Sequence, residues 1–438
     1  MFDQRGIMQN DLDNQMNRIR EHKIESLEFP DNHIHPYYDG FAISNLPDSI
    51  ATWLGAPRND GHTLNDDLHN LLADDIEHVI LLVMDGLGLN WLRDFLQNDP
   101  IELPGIASWQ RLMQDGQLFA LTSVVPSTTS AALTSLWTGK TPLEHGIVGF
   151  EMWLKEYGMI ANMIHHAPAS YNHDNGSLIK TGFDPQTFLP VPLIGKHLSG
   201  KGIKSFAFQP SSITHSGLSQ MLLQGVKMIP YRTQSDLWVS LQQHVEQRQH
   251  LKTYTYIYCS ELDTLAHMHS PQDERLYLEF SNTSMMIERF IKKLRKRLNG
   301  RTLFLMVADH GQIETPKNDH YHLKQHPELK DMLVMQPSGE NRFSYLFERN
   351  GYSSDVETYI KRTWSDKFTL YPAEKIISNG LLGKGKPHPA IKDRLGDLVL
   401  IPNENNYLWW AEKENPLLGR HGGLSADEML VPLFAMMI

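Results

Sequence analysis

The chain has 438 residues, of which 41% are hydrophobic and 21% are charged, a composition typical of globular proteins and unlike that of disordered chains or coiled coils. Its 51 acidic and 40 basic residues give a formal net charge of −11, which disfavours a nucleic-acid backbone as the principal partner. The single cysteine, Cys259, excludes an internal disulfide, and the absence of a signal-like or membrane-spanning segment predicts a cytoplasmic protein that binds no membrane. The oligomeric state is unknown from sequence.

Residues 1–70 are polar, with scattered Pro and Asn, and are predicted to form an N-terminal arm that packs on the core. Six short apolar runs, each bounded by Gly, Pro, Asp or Asn, predict buried strands at residues 78–86, 119–126, 203–210, 254–260, 302–311 and 397–403. Stretches with helical patterning separate several of these runs. Strands that alternate with helices indicate an α/β fold in which a mainly parallel sheet lies between layers of helices.

The alternation of strands and helices breaks between about residues 320 and 405. We predict that residues 320–405 form an inserted cap subdomain, and that residues 71–319 and 406–438 together form the core. Within the insert, Arg342, Tyr345 and Lys386 are expected on a solvated surface, with a place along a substrate pocket as the alternative.

Acidic and His side chains follow several of the predicted strands, at the sheet edge where open α/β sheets bind ligands. These residues are Asp85, Asp263, His267, Asp309, His310 and His421. Oxygen and imidazole donors without a thiolate suit Zn²⁺ or Mn²⁺. Six such ligands are too many for one tetrahedral ion, so the set predicts two divalent cations close together, as in enzymes of phosphoryl transfer.

Each of these residues also has a purely structural interpretation when it is taken singly. Asp before Gly, as at Asp85, is typical of a turn, and a given His in a chain with 22 of them is usually a surface or hydrogen-bonded residue. Asp263 and His267 are four residues apart, so one helical turn directs both to the same point; His269 is an alternative to His267 with poorer spacing. Their shared position after apolar strands favours the joint interpretation.

The run "PSTTSAALTSLWTG" predicts a helix that begins near Thr129 and ends at Gly139. Thr129 is then at or near the N-cap, where backbone N–H groups and the positive end of the helix dipole suit a phosphate. A helix cap and a nucleophile are therefore compatible interpretations of this hydroxyl.

Five motifs occur in a fixed order: "VILLVMDGLG", "VVPSTTSAALTSLWTGKTPLEHGIVG", "ELDTLAHMHS", "VADHGQ" and "GRHGGLSADEMLVP". Together they resemble the alkaline phosphatase superfamily, and within it the type I phosphodiesterase/nucleotide pyrophosphatase branch. The match spans about residues 78–150 and 255–312 and the C-terminal tail. It implies an alkaline phosphatase-like fold with two divalent metal ions, most often zinc, with manganese as the alternative.

The resemblance also implies roles for individual residues. The family's nucleophile lies nine residues before the Thr-Gly that closes the helix, which is Thr138-Gly139 here and so assigns the role to Thr129. One implied metal site comprises Asp85, Thr129, Asp309 and His310, and the other comprises Asp263, His267 and His421. The backbone N–H of Ser130 is a candidate donor to the substrate.

The implied function is a metal-dependent hydrolase that cleaves phosphodiester or pyrophosphate bonds of small nucleotide-type substrates through a phosphothreonine-type intermediate. Members that cleave nucleotide diesters tend to carry an Asn three residues after the nucleophile, whereas this chain has Ala132. The alternatives are therefore a phosphomonoesterase, a phosphonate hydrolase or a phosphosugar mutase of the same superfamily. A catalytically silent binding protein with this fold is the alternative from a different class.

Overall fold

The structure is a computed structural model that describes residues 4–70, 75–97, 103–171, 174–298 and 300–438. The first three residues of the predicted arm and the predicted start of the core at residue 71 lie outside the described residues. Among the helices of the described ranges, none combines the length and the apolar composition that a membrane crossing requires.

Most of the strands belong to one of two seven-stranded sheets. The strands are β1 (His78–Met84), β2 (Gln117–Thr122), β3 (Glu151–Leu154), β4 (Met159–Asn162), β5 (Ala167–Pro168), β6 (Lys204–Pro210), β7 (Lys227–Tyr231), β8 (Thr253–Cys259), β9 (Thr302–Val307), β10 (Ile313–Glu314), β11 (Ser338–Glu340), β12 (Phe343–Leu346), β13 (Phe368–Pro372), β14 (Leu398–Pro402), β15 (Gly419–Arg420) and β16 (Leu430–Met437).

Helices connect the strands and pack against the sheets. They are α1 (Gln4–Glu21), α2 (Leu46–Trp53), α3 (Asp66–Asn70), α4 (Leu89–Gln97), α5 (Pro104–Leu112), α6 (Thr129–Thr138), α7 (Pro142–His145), α8 (Ile194–Gly200), α9 (Gly217–Leu222), α10 (Gln234–Glu246), α11 (Glu261–His269), α12 (Glu274–Leu294), α13 (Pro327–Met332), α14 (Ser353–Trp364), α15 (Ala373–Ser378), α16 (Ile391–Leu395) and α17 (Ala426–Met429).

The main sheet has the strand order β2-β16-β9-β1-β8-β6-β7. Strand β1 pairs in parallel with β8 and β9, β6 pairs in parallel with β7 and β8, and β16 runs antiparallel to both of its neighbours. All residues of β1, β8 and β9 are buried, as expected of central strands covered on both faces. The predicted α/β fold with a mainly parallel sheet is confirmed.

Five of the six predicted strands lie in the main sheet, as β1, β2, β6, β8 and β9. The sixth run, at residues 397–403, is also a buried strand, but it forms β14 of the second sheet and pairs antiparallel with β12 and β13. Strand β16, which the sequence analysis does not predict, occupies the main sheet between β2 and β9. An apolar run shows that a strand is buried, but its pairing partner is set by contacts distant in sequence.

The second sheet has the order β13-β14-β12-β11-β3-β4-β5, and its pairings are antiparallel. It combines β3–β5, which precede residue 170, with strands from residues 338–402. A second hydrophobic core lies beside it and includes Tyr321, Trp364, Tyr407 and Trp409. The boundaries of the predicted cap stay a prediction.

The expected solvated positions of Arg342 and Tyr345 are wrong. Both side chains are 0% exposed: Tyr345 lies on β12, an internal strand of the second sheet, and Arg342 directly precedes that strand. The guanidinium of Arg342 pairs with Glu428 at 2.7 Å, and the Tyr345 hydroxyl donates to the Val148 carbonyl at 2.6 Å. Lys386 is exposed, as expected.

The N-terminal segment protects an edge of the main sheet. Helix α1 packs against the edge strand β2, and the Gln15 side-chain oxygen accepts a hydrogen bond from the backbone N–H of Ala120 at 3.0 Å. The Gln15 side chain thereby satisfies a backbone N–H of β2 on the side where the sheet has no neighbouring strand.

Candidate metal centre and active site

Three neighbouring strands bring the acidic and His residues together. Because β1, β8 and β9 run parallel and side by side, their carboxyl ends meet at one edge of the sheet. Asp85 directly follows β1, Asp309 and His310 follow β9, and α11, which carries Asp263, begins just after β8. This is the edge at which α/β sheets bind ligands.

The first cluster surrounds one ring nitrogen of His310. Its Nε2 lies 3.4 Å from Asp85 Oδ1, 3.5 Å from Asp309 Oδ2 and 3.1 Å from the Thr129 hydroxyl oxygen. The ligand atoms of Asp85, Asp309 and His310 all lie within 4.8 Å of one another. Four donor atoms from distant parts of the chain therefore converge on one small volume, and they are the four predicted for one metal site.

Each carboxylate of this cluster uses one oxygen for the protein and leaves the other without a partner. Asp85 Oδ2 accepts a hydrogen bond from the Tyr258 hydroxyl, and Asp309 Oδ1 accepts from the backbone N–H groups of Gly86 at 3.3 Å and His310 at 2.9 Å. Among the described residues, Asp85 Oδ1 and Asp309 Oδ2 are buried with no hydrogen-bond partner. Orphaned buried carboxylate oxygens are the donors that a divalent cation would satisfy.

The second cluster lies directly beside the first. Asp263 Oδ1 is 3.4 Å from His267 Nε2 and 3.8 Å from His421 Nε2. The ligand atoms of Asp263, His310 and His421 also lie within 4.8 Å of one another, and the rings of His310 and His421 stack at 3.8 Å. His267 is at the rim of this cluster and is half-buried.

All three His rings are oriented in the same way, by a backbone carbonyl group. The Nδ1 atoms contact carbonyl oxygens as follows: His267 to Gly419 at 2.8 Å, His310 to Gly311 at 3.1 Å and His421 to Ser127 at 3.1 Å. When Nδ1–H donates to a carbonyl, the lone pair of the neutral ring is on Nε2, which is the arrangement typical of metal-binding His. In each case Nε2 is the atom that faces the carboxylates.

A short antiparallel pairing brings His421 to this edge. Strand β10 follows Asp309 and His310 by a few residues, and β15 ends one residue before His421. Because β10 pairs with β15, His421 lies beside Asp309 and His310, which are more than one hundred positions earlier in the chain.

Burial and mutual repulsion perturb the titration of the clustered groups. Burial, together with the nearby carboxylates of Asp309 and Asp263, raises the pKa of Asp85 well above its ordinary value. Burial also raises the pKa of Asp309. Burial and the neighbouring imidazoles of His310 and His267 lower the pKa of His421 well below its ordinary value, so this ring is neutral and able to bind a metal. A bound cation would offset the repulsion between the carboxylates.

Helix α6 places two adjacent Thr hydroxyls in different environments. Thr128 is the N-cap residue, and its hydroxyl donates to the buried carboxylate of Glu340, whereas Thr129 is the first helical residue and faces His310. Thr129 is 6% exposed. The helix ends at Gly139 with a φ of 65°, a left-handed conformation that favours glycine. The predicted helix is confirmed, with Thr129 one position after the cap.

The predicted substrate donor is also at this helix end. Ser130 is the second helical residue, and the first N–H groups of a helix lack an intrahelical acceptor. Its hydroxyl donates to the Gly149 carbonyl at 2.8 Å, so the side chain is occupied and the backbone N–H is the group that Ser130 can offer to an anion. The functional roles of Thr129, Ser130 and the six candidate metal ligands stay predictions.

Two residues that orient predicted ligands were missed by the sequence analysis. The Tyr258 hydroxyl holds Asp85, and the Gln312 side-chain amide donates to the backbone carbonyl of Asp263 at 3.0 Å and to its carboxylate. Gln312 ends the motif "VADHGQ", which could have indicated it. Tyr258 had no such signal, because it is one of several aromatic residues in a buried strand.

The family model of type I phosphodiesterase/nucleotide pyrophosphatase matches residues 79–424. The chain belongs to this family. Members of the type I phosphodiesterase/nucleotide pyrophosphatase family are metal-dependent hydrolases. No curated protein matches the chain by sequence.

Solved structures of ectonucleotide phosphodiesterases and of a phosphonate hydrolase have the same fold as this family member. Murine ectonucleotide pyrophosphatase/phosphodiesterase 5 is 18% identical, with a TM-score of 0.58 over 81% of this chain and 87% of that chain. The human protein is 17% identical, with a TM-score of 0.59 over 82% and 87%. Phosphonoacetate hydrolase from Sinorhizobium meliloti, in complex with phosphonoformate, is 17% identical, with a TM-score of 0.58 over 83% and 91%.

Proposed function

We propose that this protein hydrolyses phosphodiester or pyrophosphate bonds of small molecules, with Thr129 as the nucleophile and two divalent cations as cofactors. The main observation that supports this proposal is that the Thr129 hydroxyl oxygen lies 3.1 Å from His310 Nε2. His310 belongs to both groups of side chains that could hold a metal ion. A nucleophile at this point can reach a phosphorus atom whose other oxygens face the cations.

The donor set supports the cofactor proposal. One ion would be held by Asp85, Thr129, Asp309 and His310, and the other by Asp263, His267 and His421. Oxygen and imidazole ligands suit zinc, which we propose, with manganese as the alternative. When bound, such ions lower the pKa of a coordinated hydroxyl or water and offset the negative charge of the phosphate.

The proposed reaction has two steps, and both take place at the same phosphorus atom with Thr129 as a participant. The Thr129 oxygen forms a bond to phosphorus while the bond from phosphorus to the leaving oxygen breaks. The electron pair of that bond departs with the leaving oxygen, and the Thr129 hydroxyl proton is released to solvent. Water next forms a bond to phosphorus, the bond to Thr129 breaks, and a proton from the water restores the Thr129 hydroxyl. The Ser130 N–H donates to a non-bridging oxygen in both steps.

Relatives supply the support for the substrate class. An inactive threonine-to-alanine variant of murine ectonucleotide pyrophosphatase/phosphodiesterase 5 was solved in complex with AMP, which accords with a nucleotide-type substrate and a threonine nucleophile here. The phosphonoacetate hydrolase has the same TM-score as the murine phosphodiesterase. Phosphonate hydrolysis is therefore the second candidate, and Ala132, which is fully buried, provides no polar group for a diester.

Substrate and metal dependence can be tested together. Metal-stripped protein would be assayed with bis(p-nitrophenyl) phosphate, p-nitrophenyl phosphate and phosphonoacetate, before and after addition of zinc or manganese. We expect activity only with metal, and the highest kcat/KM for the diester. A preference for the monoester or for phosphonoacetate would overturn the diester assignment, and turnover by metal-free protein would overturn the cofactor proposal.

Replacement of the nucleophile tests the covalent step. We expect Thr129→Ala to lower kcat by a factor on the order of 10³ or more, because removal of a nucleophile abolishes the covalent route. Thr358→Ala is the matched control, since Thr358 is exposed on α14. Acid-quenched wild-type protein should carry a phosphoryl adduct on the peptide that contains Thr129, detectable by mass spectrometry. Unchanged kcat in Thr129→Ala would show that another residue attacks phosphorus.

A further inference from the structure

The first turn of helix α6 lacks the cap that its own N-cap residue could provide. Thr128 is that residue, with φ −136° and ψ 145°, but within the described range 103–171 its side chain makes no capping hydrogen bond to the helix. A Thr at the N-cap normally accepts a hydrogen bond from the second or third N–H group of the helix. Here those groups belong to Ser130 and Ala131. A neighbouring group must therefore direct the Thr128 hydroxyl elsewhere.

A second helix of the same protein shows that the backbone is not the reason. Thr233 is the N-cap of α10, with φ −141° and ψ 161°, and its side chain accepts a hydrogen bond from the backbone N–H of Asp236 at 3.2 Å. The two Thr residues thus have nearly the same backbone conformation but different hydrogen bonds. The difference lies in the surroundings of Thr128, whose hydroxyl donates to Glu340.

The Glu340 carboxyl group is held in place at the end of β11. Its Oε1 atom accepts from the Thr128 hydroxyl and from the backbone N–H of Phe150 at 2.8 Å. A Cβ atom on Gly422 would lie only 2.6 Å from the Glu340 Cβ, so a glycine is needed for this close approach. Glu340 of the second sheet therefore reaches α6 through a space that a glycine leaves next to His421.

We propose that Glu340 is a positioning residue that keeps the phosphate-binding end of α6 open. By accepting the hydrogen bond of the Thr128 hydroxyl, it prevents that side chain from capping the helix. The N–H groups of Ser130 and Ala131 then stay available to the non-bridging oxygens of the substrate. This proposal rests on the proposed function and adds to it a residue that acts through Thr128.

Two acceptors compete for the same N–H groups. A side-chain cap of typical strength is worth about fivefold in an equilibrium, and a phosphate would have to displace it in order to bind at the helix end. Removal of the Glu340 acceptor releases the Thr128 hydroxyl, whose backbone conformation already suits a cap. The resulting loss of phosphate binding should disappear when the Thr128 hydroxyl is removed as well.

Binding of inorganic phosphate tests this proposal without turnover. Metal-loaded wild type, Glu340→Met, Thr128→Val and the double variant would be titrated by calorimetry. We expect about fivefold weaker binding in Glu340→Met, and affinities within about twofold of the wild type in the other two variants, because Val has the shape of Thr but cannot cap. An equal loss in Glu340→Met and the double variant would overturn the proposal. Wild-type affinity in Glu340→Met, or no binding of phosphate to the wild type, would also overturn it.

Two further variants separate the acceptor oxygen from the bulk of the side chain. Burial raises the pKa of Glu340 to about 8, so the neutral amide of Glu340→Gln resembles the form that predominates at pH 7. We expect Glu340→Gln to bind phosphate within about twofold of the wild type, because its amide oxygen can accept from Thr128. Glu374→Met is the matched control at a side chain that is 79% exposed, and it should bind normally. A loss in Glu340→Gln as large as that in Glu340→Met would contradict the proposal.

Kinetic assays distinguish failure of this proposal from failure of the proposed function. With bis(p-nitrophenyl) phosphate, we expect Glu340→Met to lower kcat/KM about fivefold or more and the double variant to recover it. Turnover by the wild type that is unchanged in Glu340→Met would overturn the role of Glu340 and leave the proposed function standing. Recovery of phosphate binding in the double variant, combined with no turnover of any assayed ester by the wild type, would overturn the proposed function and support the role of Glu340.

Discussion

The chemistry of the candidate site depends on which atom each side chain leaves free. Asp85 and Asp309 each have one oxygen bound by the protein, through Tyr258 and through backbone N–H groups respectively. The three His residues are oriented by carbonyl groups through Nδ1. Such outer contacts fix ligand orientation before a metal binds, and preorganised ligands lose less entropy on binding.

Removal of one carboxylate should remove one cation. We expect Asp85→Asn to lower the metal content from two ions per chain to one, because a neutral amide is a weaker ligand than a buried carboxylate. Elemental analysis of the dialysed protein measures this directly. Asp393→Asn is the matched control, since the Asp393 side chain is 43% exposed and pairs with Lys155 at 2.8 Å, and this variant should retain both ions. Two ions in Asp85→Asn would contradict the ligand assignment.

Among the elements, the packing of α5 on α12 depends on a polar contact as well as on apolar burial. Glu288 of α12 binds the guanidinium of Arg111 and accepts from the Ser108 hydroxyl at 2.8 Å. The hydrogen bond from Arg111 is the main reason that the pKa of Glu288 is lowered from 4.5 to about 2. The charged form of Glu288 therefore stabilises the contact between these two helices.

This lowered pKa predicts a pH-dependent contribution to stability. Because the folded pKa of Glu288 is below the unfolded value of 4.5, its contribution is fully present above that value and is lost as the pH falls toward about 2. We expect Glu288→Gln to lower the free energy of unfolding at pH 7 by about 1–2 kcal/mol, a range reduced for solvent screening at the half-exposed Arg111. Urea unfolding of the wild-type protein and of Glu288→Gln at several pH values measures this difference in the free energy of unfolding.

The matched control for Glu288→Gln is Glu357→Gln. Glu357 pairs with Lys361 on the surface of α14, where the two side chains are 55% and 73% exposed. We expect a change of about 0.5 kcal/mol or less in the unfolding free energy at pH 7. A Glu288→Gln effect that is equal at pH 7 and at about pH 3 would contradict the assignment of the pKa shift.

At the scale of the whole molecule, a buried ion pair connects the second sheet to the segment that carries His421. Arg342 binds Glu428 at 2.7 Å, and both side chains are 0% exposed. Glu428 also accepts hydrogen bonds from the backbone N–H of Gly423 at 2.8 Å and from the Ser425 hydroxyl at 2.6 Å. Burial would raise the pKa of Glu428, but Arg342 and these donors hold it below its ordinary value.

Breaking this pair should affect both stability and the metal site. We expect Arg342→Ala to lower the unfolding free energy by about 3–5 kcal/mol, because it leaves a buried carboxylate without a counter-charge. Urea unfolding gives the stability, and elemental analysis gives the metal content, which should fall because Glu428 positions the backbone next to His421.

An exposed arginine provides the comparison for Arg342→Ala. Arg362 pairs with Glu328, with the two side chains 60% and 54% exposed, so Arg362→Ala should cost less than about 1 kcal/mol. Arg342→Lys keeps the charge and should lie between the two. Equal effects of Arg342→Ala and Arg362→Ala would contradict the proposed connection.

The sequence by itself determined the features that depend on local pattern. The sequence predicts strands β1, β8 and β9 and the polar residues that follow them, because a strand buried on both faces must be apolar along its length. The helix from Thr129 to Gly139 is readable from its end signals. The motif order indicated the family, and the candidate ligands came from the same positions.

Only the tertiary structure decided which distant segments meet. The place of β14 in the second sheet, the insertion of β16 beside β9, and the burial of Arg342 against Glu428 depend on pairing between residues far apart in the chain. The same is true of the Tyr258 contact to Asp85. Local sequence reports whether a residue is buried, but its partner is selected by the packing of the whole chain.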